Sequence, residues 1–169
     1  RWAFKFVSEV FRRGNREVVL AEVQQDWTAL EHASSELKKD LKIVLAAAKQ
    51  NRRAFEFVSE GLRRGNRELV LAEVQQDGTA LEYASDDLKK DPVIVLAAVQ
   101  ENGMALKHAS AELKKDPEIV LAAVQRSGMA LEHASAELKE NLKIVLAAVQ
   151  RSRWAFKFVS EVFRRGNRE

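Results

Sequence analysis

Residues 103–127 read GMALKHASAELKKDPEIVLAAVQRS, and the fold follows from this stretch. Its second half opens on Asp116-Pro117, an acidic cap followed by the residue best suited to the first turn of a helix. The six residues 119–124 are all apolar; they would cover every side of a helix, so that helix must be buried nearly all round. In the first half Ala105, Leu106, Ala109 and Leu113 fall at i, i+1, i+4 and i+8, which predicts one face of an amphipathic α-helix. Lys114 and Lys115 stand in its last turn, where the helix dipole favours positive charge, and Glu112 precedes Lys115 by three residues. Gly128 reads as the stop of the second helix. The stretch therefore predicts two short helices separated by a capped turn.

The same pattern fills the chain. Segments begin at Arg1, Trp27, Arg52, Gly78, Gly103, Gly128 and Arg153, giving repeats 1–26, 27–51, 52–77, 78–102, 103–127, 128–152 and a partial 153–169. Two variants occur. One, at 1, 52 and 153, carries A-F-x-F-V-S-E and the turn Gly-Asn (Gly14-Asn15, Gly65-Asn66, Gly166-Asn167), which predicts a turn one residue longer; the other begins at 27, 78, 103 and 128. Residues 1–17, RWAFKFVSEVFRRGNRE, return letter for letter at 153–169, so a super-repeat of 152 residues restarts at Arg153. One such repeat cannot bury its second helix, whereas a stack of repeats can. The expected fold is all-α: a single continuous α-solenoid over 1–169, built of two-helix repeats of 25–26 residues, right- or left-handed. Neither end has a polar capping repeat and the last segment stops before its second helix. The expectation is an array continuing past both ends, with residues like 143–152 before Arg1 and like 18–26 after Glu169.

Composition narrows the function classes. At 46% hydrophobic and 31% charged, with a net charge of +3, the chain has the balance of an ordinary folded domain. Cysteine is absent, which excludes disulfides and thiolate chemistry and leaves the compartment open. Apolar runs such as 119–124 are far too short to span a membrane. No paired-acid, metal-ligand or phosphate-loop pattern occurs, so neither an enzyme, a cofactor nor a metal is expected.

Several positions recur in every repeat. A ring occupies one slot throughout: Phe6, His32, Phe57, Tyr83, His108, His133 and Phe158. A histidine ladder for metal or protons is one reading; a flat side chain wedged between stacked helices is the stronger, because Phe neither ligates nor titrates. The serines Ser8, Ser34, Ser59, Ser85, Ser110, Ser135 and Ser160 lack a fixed basic partner, which favours local backbone bonding over nucleophilic chemistry. The basic pairs Arg12-Arg13, Lys38-Lys39, Arg63-Arg64, Lys89-Lys90, Lys114-Lys115 and Arg164-Arg165 could track a phosphate backbone. Acidic residues one turn away argue instead for solvated helix ends, and against nucleic acid. Trp2, Trp27 and Trp154 interrupt the pattern at helix starts, as partner anchors or as gap fillers. Glu22 and Glu73 stand where Ala47, Ala98, Ala123 and Ala148 stand elsewhere, and a charge there implies an interface contact. Trp2, Trp27, Trp154, Glu22 and Glu73 are thus the candidate interface residues.

The phrase V-L-A-A-V-Q-x-x-G-x-A-L-x-x-A-S-x-E-L-K, at 95–114 and 120–139, resembles a tandem helical repeat family of unknown function found in bacteria, protists and giant viruses. The resemblance covers essentially the whole chain and fits the second variant best. It implies a helical array and carries no activity, cofactor or catalytic residue. The expected role is structural: a segment of a filament or scaffold whose partner is itself. The rivals are a module binding a peptide or protein on its concave face, and an engineered array, against which irregular exchanges such as Gly61 for Val10 speak.

Overall fold

The computed structural model describes residue 11 and residues 13–166. Trp2, Phe6, Ser8, Arg12 and Asn167 lie outside the described residues. The chain folds as two compact units, residues 1–72 and 73–169. The described residues are all-α, with no strand among them, and each unit is a run of α-solenoid whose elements pack against their neighbours in sequence. In chain order the α-helices are α1 Arg16–Gln25, α2 Ala29–His32, α3 Leu41–Gln50, α4 Glu60–Gly65, α5 Arg67–Val74, α6 Pro92–Glu101, α7 Pro117–Arg126, α8 Leu142–Arg151 and α9 Glu161–Gly166.

The second helix of each repeat forms as its sequence dictates. Asp116 accepts from the N–H groups of Glu118 and Ile119 at 2.8 and 3.1 Å, and Pro117 opens α7. Asp40 and Asp91 cap α3 and α6 in the same way, and Asn15 and Asn66 do so ahead of α1 and α5. On α7, Ile119, Val120, Ala123 and Val124 are buried and Leu121 and Ala122 half-buried, so the helix is nearly enclosed. Each side chain of this size adds about 1.5–3 kcal/mol when taken wholly from water.

The first half of the second-variant repeat departs from the expected single α-helix. It is a 3-10 helix, Gly103–His108, then an extended break at Ala109 (φ −65, ψ 155), then a second 3-10 turn, Leu113–Lys115. At two of these repeats the break coincides with a bond to the neighbouring repeat. The Ser110 N–H donates to Lys89 O at 3.0 Å, and Ser135 N–H donates to Lys114 O at 2.9 Å. An N–H committed across the joint cannot continue a local i→i−4 ladder, so the helix breaks at the serine. Unit 1 shows the same rung from Ser34 to Arg13 O at 2.9 Å. The freed hydroxyl of Ser110 then accepts from Leu113 N–H at 3.3 Å and starts the next turn. Burial nonetheless follows the sequence pattern: Ala105, Leu106 and Ala109 are all buried.

The extra residue of the first variant is absorbed differently from the longer turn expected. Between Ser85 and the cap Asp91 the chain makes i→i−3 bonds, Lys90 to Asp87 and Asp91 to Leu88. Both segments open on an i→i−4 bond to the serine, Lys89 to Ser85 and Arg63 to Ser59; between Ser59 and Asn66, one residue more, that spacing continues to the cap, Asn66 to Leu62, and the segment becomes α4. A turn of α-helix takes about 3.6 residues against about 3.0 for 3-10 helix, so the insertion converts one into the other.

Candidate functional site

Unit 2 is built on two regular contacts, a glycine contact inside each repeat and a capped joint between repeats. Gly128 does not end α8's predecessor by a left-handed turn; no described residue has positive φ. Ser127 closes α7 in an extended conformation (φ −144), and Gly128 begins the next 3-10 helix. Glycine is required there by contact: a Cβ would lie 2.2 Å from Ala148 O. Gly78 and Gly103 meet Ala98 O and Ala123 O in the same way, each at 2.3 Å. Long side chains complete the joint. Arg126 Nε donates to Glu101 O at 3.0 Å and Arg151 Nε to Arg126 O at 3.3 Å, so the last residue of one helix caps the carbonyl end of the helix before it. In unit 1 Gln50 does this for Val23 O at 2.6 Å. These caps escaped the sequence reading because Gln, Glu and Arg at a helix end look like solvent-facing residues; their spacing of 25, Glu101 to Arg126 to Arg151, was the available signal.

The ring slot is graded in exposure. Tyr83 is 56% exposed, whereas His108 and His133 are half-buried. His108 Nε2 lies 3.8 Å from Glu82 Oε2. Burial pushes its imidazole below the ordinary value, Lys107 adds to this, and Glu82 opposes it. At His133 burial again leads, with Glu132 opposing and Lys114, Lys107 and Lys139 adding. His133 Nε2 is buried without a hydrogen-bond partner among the described residues. Among those residues no group of three His, Cys, Asp or Glu side chains could hold a metal ion.

The basic pairs bond locally at the surface. Lys114 Nζ donates to Lys107 O and Lys139 Nζ to Glu132 O, both at 2.7 Å. The second members pair with acids one turn back: Lys39 with Glu36 at 3.1 Å, Arg64 with Glu60 at 2.8 Å and Lys90 with Asp87 at 3.2 Å. Across a repeat of unit 1, Arg16 Nε donates to Asp40 Oδ2 at 2.6 Å and holds the Asp40 carboxyl below its ordinary range.

Four of the five candidate interface residues are described, two in each unit. In unit 1, Trp27 is half-buried and its ring stacks on Phe57 at 6.0 Å between centroids. Glu22, half-buried on α1, borders an open polar cleft of about 730 Å³ with Arg13, Gln25, Asp26 and His32. In unit 2, Glu73 is 8% exposed and Trp154 64% exposed, with the Arg153 guanidinium 4.8 Å from the Trp154 ring centroid. Trp2 lies outside the described residues. Beside Trp154 the side chains of Leu146 and Phe156 are 50% and 49% exposed. No helix among the described residues is long and apolar enough to cross a membrane.

Short α-helices, 3-10 turns and a reused joint define a tandem-repeat α-solenoid protein. The chain belongs to the family described as Domain of unknown function (DUF4116), whose model matches three times in succession, at residues 15–63, 66–114 and 116–164. Each match spans two of the small repeats and begins at or just before a helix cap, Asn15, Asn66 or Asp116. No curated protein and no solved structure matches the chain.

Proposed function

We propose that the chain is a structural scaffold, a length of tandem-repeat array that serves as a filament or fibre building block. The observation that carries this reading is the joint itself. In unit 2 the serine rung recurs at Ser110 and Ser135 and the arginine cap at Arg126 and Arg151, while the glycine contact recurs inside three successive repeats, so an added repeat of this kind makes the contacts its predecessor made. A structure held by one repeated contact extends in one dimension with stability roughly additive over neighbours. Basic pairs engaged with local carbonyls and acids fit this role better than nucleic-acid binding.

The test is length. Chains carrying one, two and three copies of the 152-residue period are compared by small-angle X-ray scattering. The scaffold reading expects the maximum dimension to grow in proportion to copy number at constant cross-section. Copies that collapse into compact particles of growing width overturn it.

A further inference from the structure

In unit 2 the ring slot of a repeat faces the residue that stands just before the slot in the repeat ahead of it. His108 Nε2 lies 3.8 Å from Glu82 Oε2, where Gly103–His108 packs on Gly78–Tyr83. One step of 25 residues on, His133 takes the place of His108 and Lys107 the place of Glu82, as Gly128–His133 packs on Gly103–His108. The letters thus set a carboxylate against one imidazole and an ammonium against the next. Further ammonium groups are pinned beside both rings. Lys114 Nζ donates to Lys107 O and Lys139 Nζ to Glu132 O, the carbonyls just ahead of His108 and His133. His133 Nε2 is buried with no hydrogen-bond partner among the described residues.

We infer that the joint between repeats 103–127 and 128–152 is an acid-sensitive hinge, closed over a neutral His133 and opened when that ring takes up a proton. A protonated imidazole donates at both nitrogens and carries a charge that needs a partner when buried. The closed joint meets it with Lys107 from the preceding repeat, Lys114 and Lys139 from the 3-10 turns, and the acid Glu132 on its own 3-10 helix. The following segment, Arg153–Phe158, adds only the cations Arg153 and Lys157, which lie over the Trp154 and Phe158 rings. α7 and α8 carry their charges at their ends, Glu118 with Arg126 and Lys143 with Arg151, and both arginines are committed to carbonyls. The ring therefore binds its proton less readily in the closed joint than in the open one, so acid favours opening. The joint before it responds differently. Burial, Lys107, Lys89 and Lys114 also oppose a proton on His108, but Glu82 faces that ring from across the joint and works against them. The slot does not titrate at Phe57 and Phe158 and is exposed at His32. The hinge is a property of the joint and goes beyond the scaffold reading, which stands or falls separately.

The serine rungs report the two joints one by one. Ser135 N–H, bonded to Lys114 O, spans the joint at His133, and Ser110 N–H, bonded to Lys89 O, spans the joint at His108. Hydrogen exchange of the full chain, followed by NMR and expressed as protection relative to the free-peptide rate at each pH, reads both, with circular dichroism as the check on folding. Between about pH 7.5 and about pH 5, Ser135 is expected to lose protection about tenfold or more, the effect of one pKa unit between open and closed joint, while Ser110 changes less than about threefold. Lys107→Glu, at an exposed position, gives His133 the carboxylate that His108 has and is expected to restore Ser135 protection in acid. His133→Phe is expected to leave Ser135 protection flat with pH, and Glu82→Lys to pass the acid sensitivity to Ser110. Ser135 protection that holds across the range, or Ser110 falling as far as Ser135, overturns the hinge. A fall that survives His133→Phe, or that Lys107→Glu leaves unchanged, overturns it equally.

Discussion

His133 carries a buried Nε2 with no hydrogen-bond partner among the described residues, in a slot that Phe57 and Phe158 fill with a ring that needs none. Burial and the Lys114, Lys107 and Lys139 ammonium groups, against Glu132, lower its folded pKa below the ordinary value of about 6.5. A lowered histidine contributes stability that is complete above that ordinary value and is lost as pH falls through the folded one. The chain is therefore expected to lose stability on acidification from neutrality. His133→Phe should raise the unfolding free energy by about 1 kcal/mol at neutral pH and flatten its decline below about pH 6.5, read from urea melts across pH. A lower free energy for the variant at neutral pH would rule out packing as the purpose of the slot. The alternation of Phe with His predicted packing. The slot is half-buried at Phe57, His108, His133 and Phe158 and exposed at His32 and Tyr83, and neither that difference nor the unequal surroundings of His108 and His133 was legible. They depend on whether Glu82 or Lys107 stands on the preceding repeat.

At the scale of elements, one residue decides between two kinds of helix. Removing Gly65 leaves six positions from Ser59 to the cap, the count that separates Ser85 from Asp91. The expected outcome is conversion of α4 from i→i−4 to i→i−3 bonding, detectable as a shift of the Asn66 N–H partner from Leu62 to the residue after it by NMR hydrogen-bond couplings. Retention of the Leu62 bond would show that the neighbouring packing, and not residue count, sets the helix type. The capped second helices were fully legible, since Asp116-Pro117 and its equivalents state their own start. The first helix was legible in its buried positions and misread in its backbone. Ala105, Leu106 and Ala109 follow a helical period whichever helix carries them, and the serine bond that breaks the ladder comes from a residue 21 positions earlier. Periodicity reports which side chains face inward; it does not register a backbone bond to another repeat.

Taken as a whole, the chain is two compact units of one repeated design. In unit 2 the serine rungs and the arginine caps link one repeat to the next, so stability should accumulate by neighbours. Inserting a second copy of residues 103–127 after Ser127 is expected to raise both the denaturant midpoint and its slope, the slope in proportion to the added length. An unchanged midpoint would mean that the inserted repeat folds without coupling to its neighbours. The tandem organisation was legible from letters alone, down to its 25- and 26-residue steps. The division into two units was not, because every segment on either side of it fits the same template.

The glycine contact fixes how closely the two halves of one repeat can lie. Gly78, Gly103 and Gly128 let the head of a repeat rest directly on a carbonyl of that repeat's own second helix. At the same position Trp27 places its indole on Phe57 instead. One letter thus carries the internal register of a repeat: any larger residue in place of these glycines would push its two halves apart before it touched the neighbouring repeat.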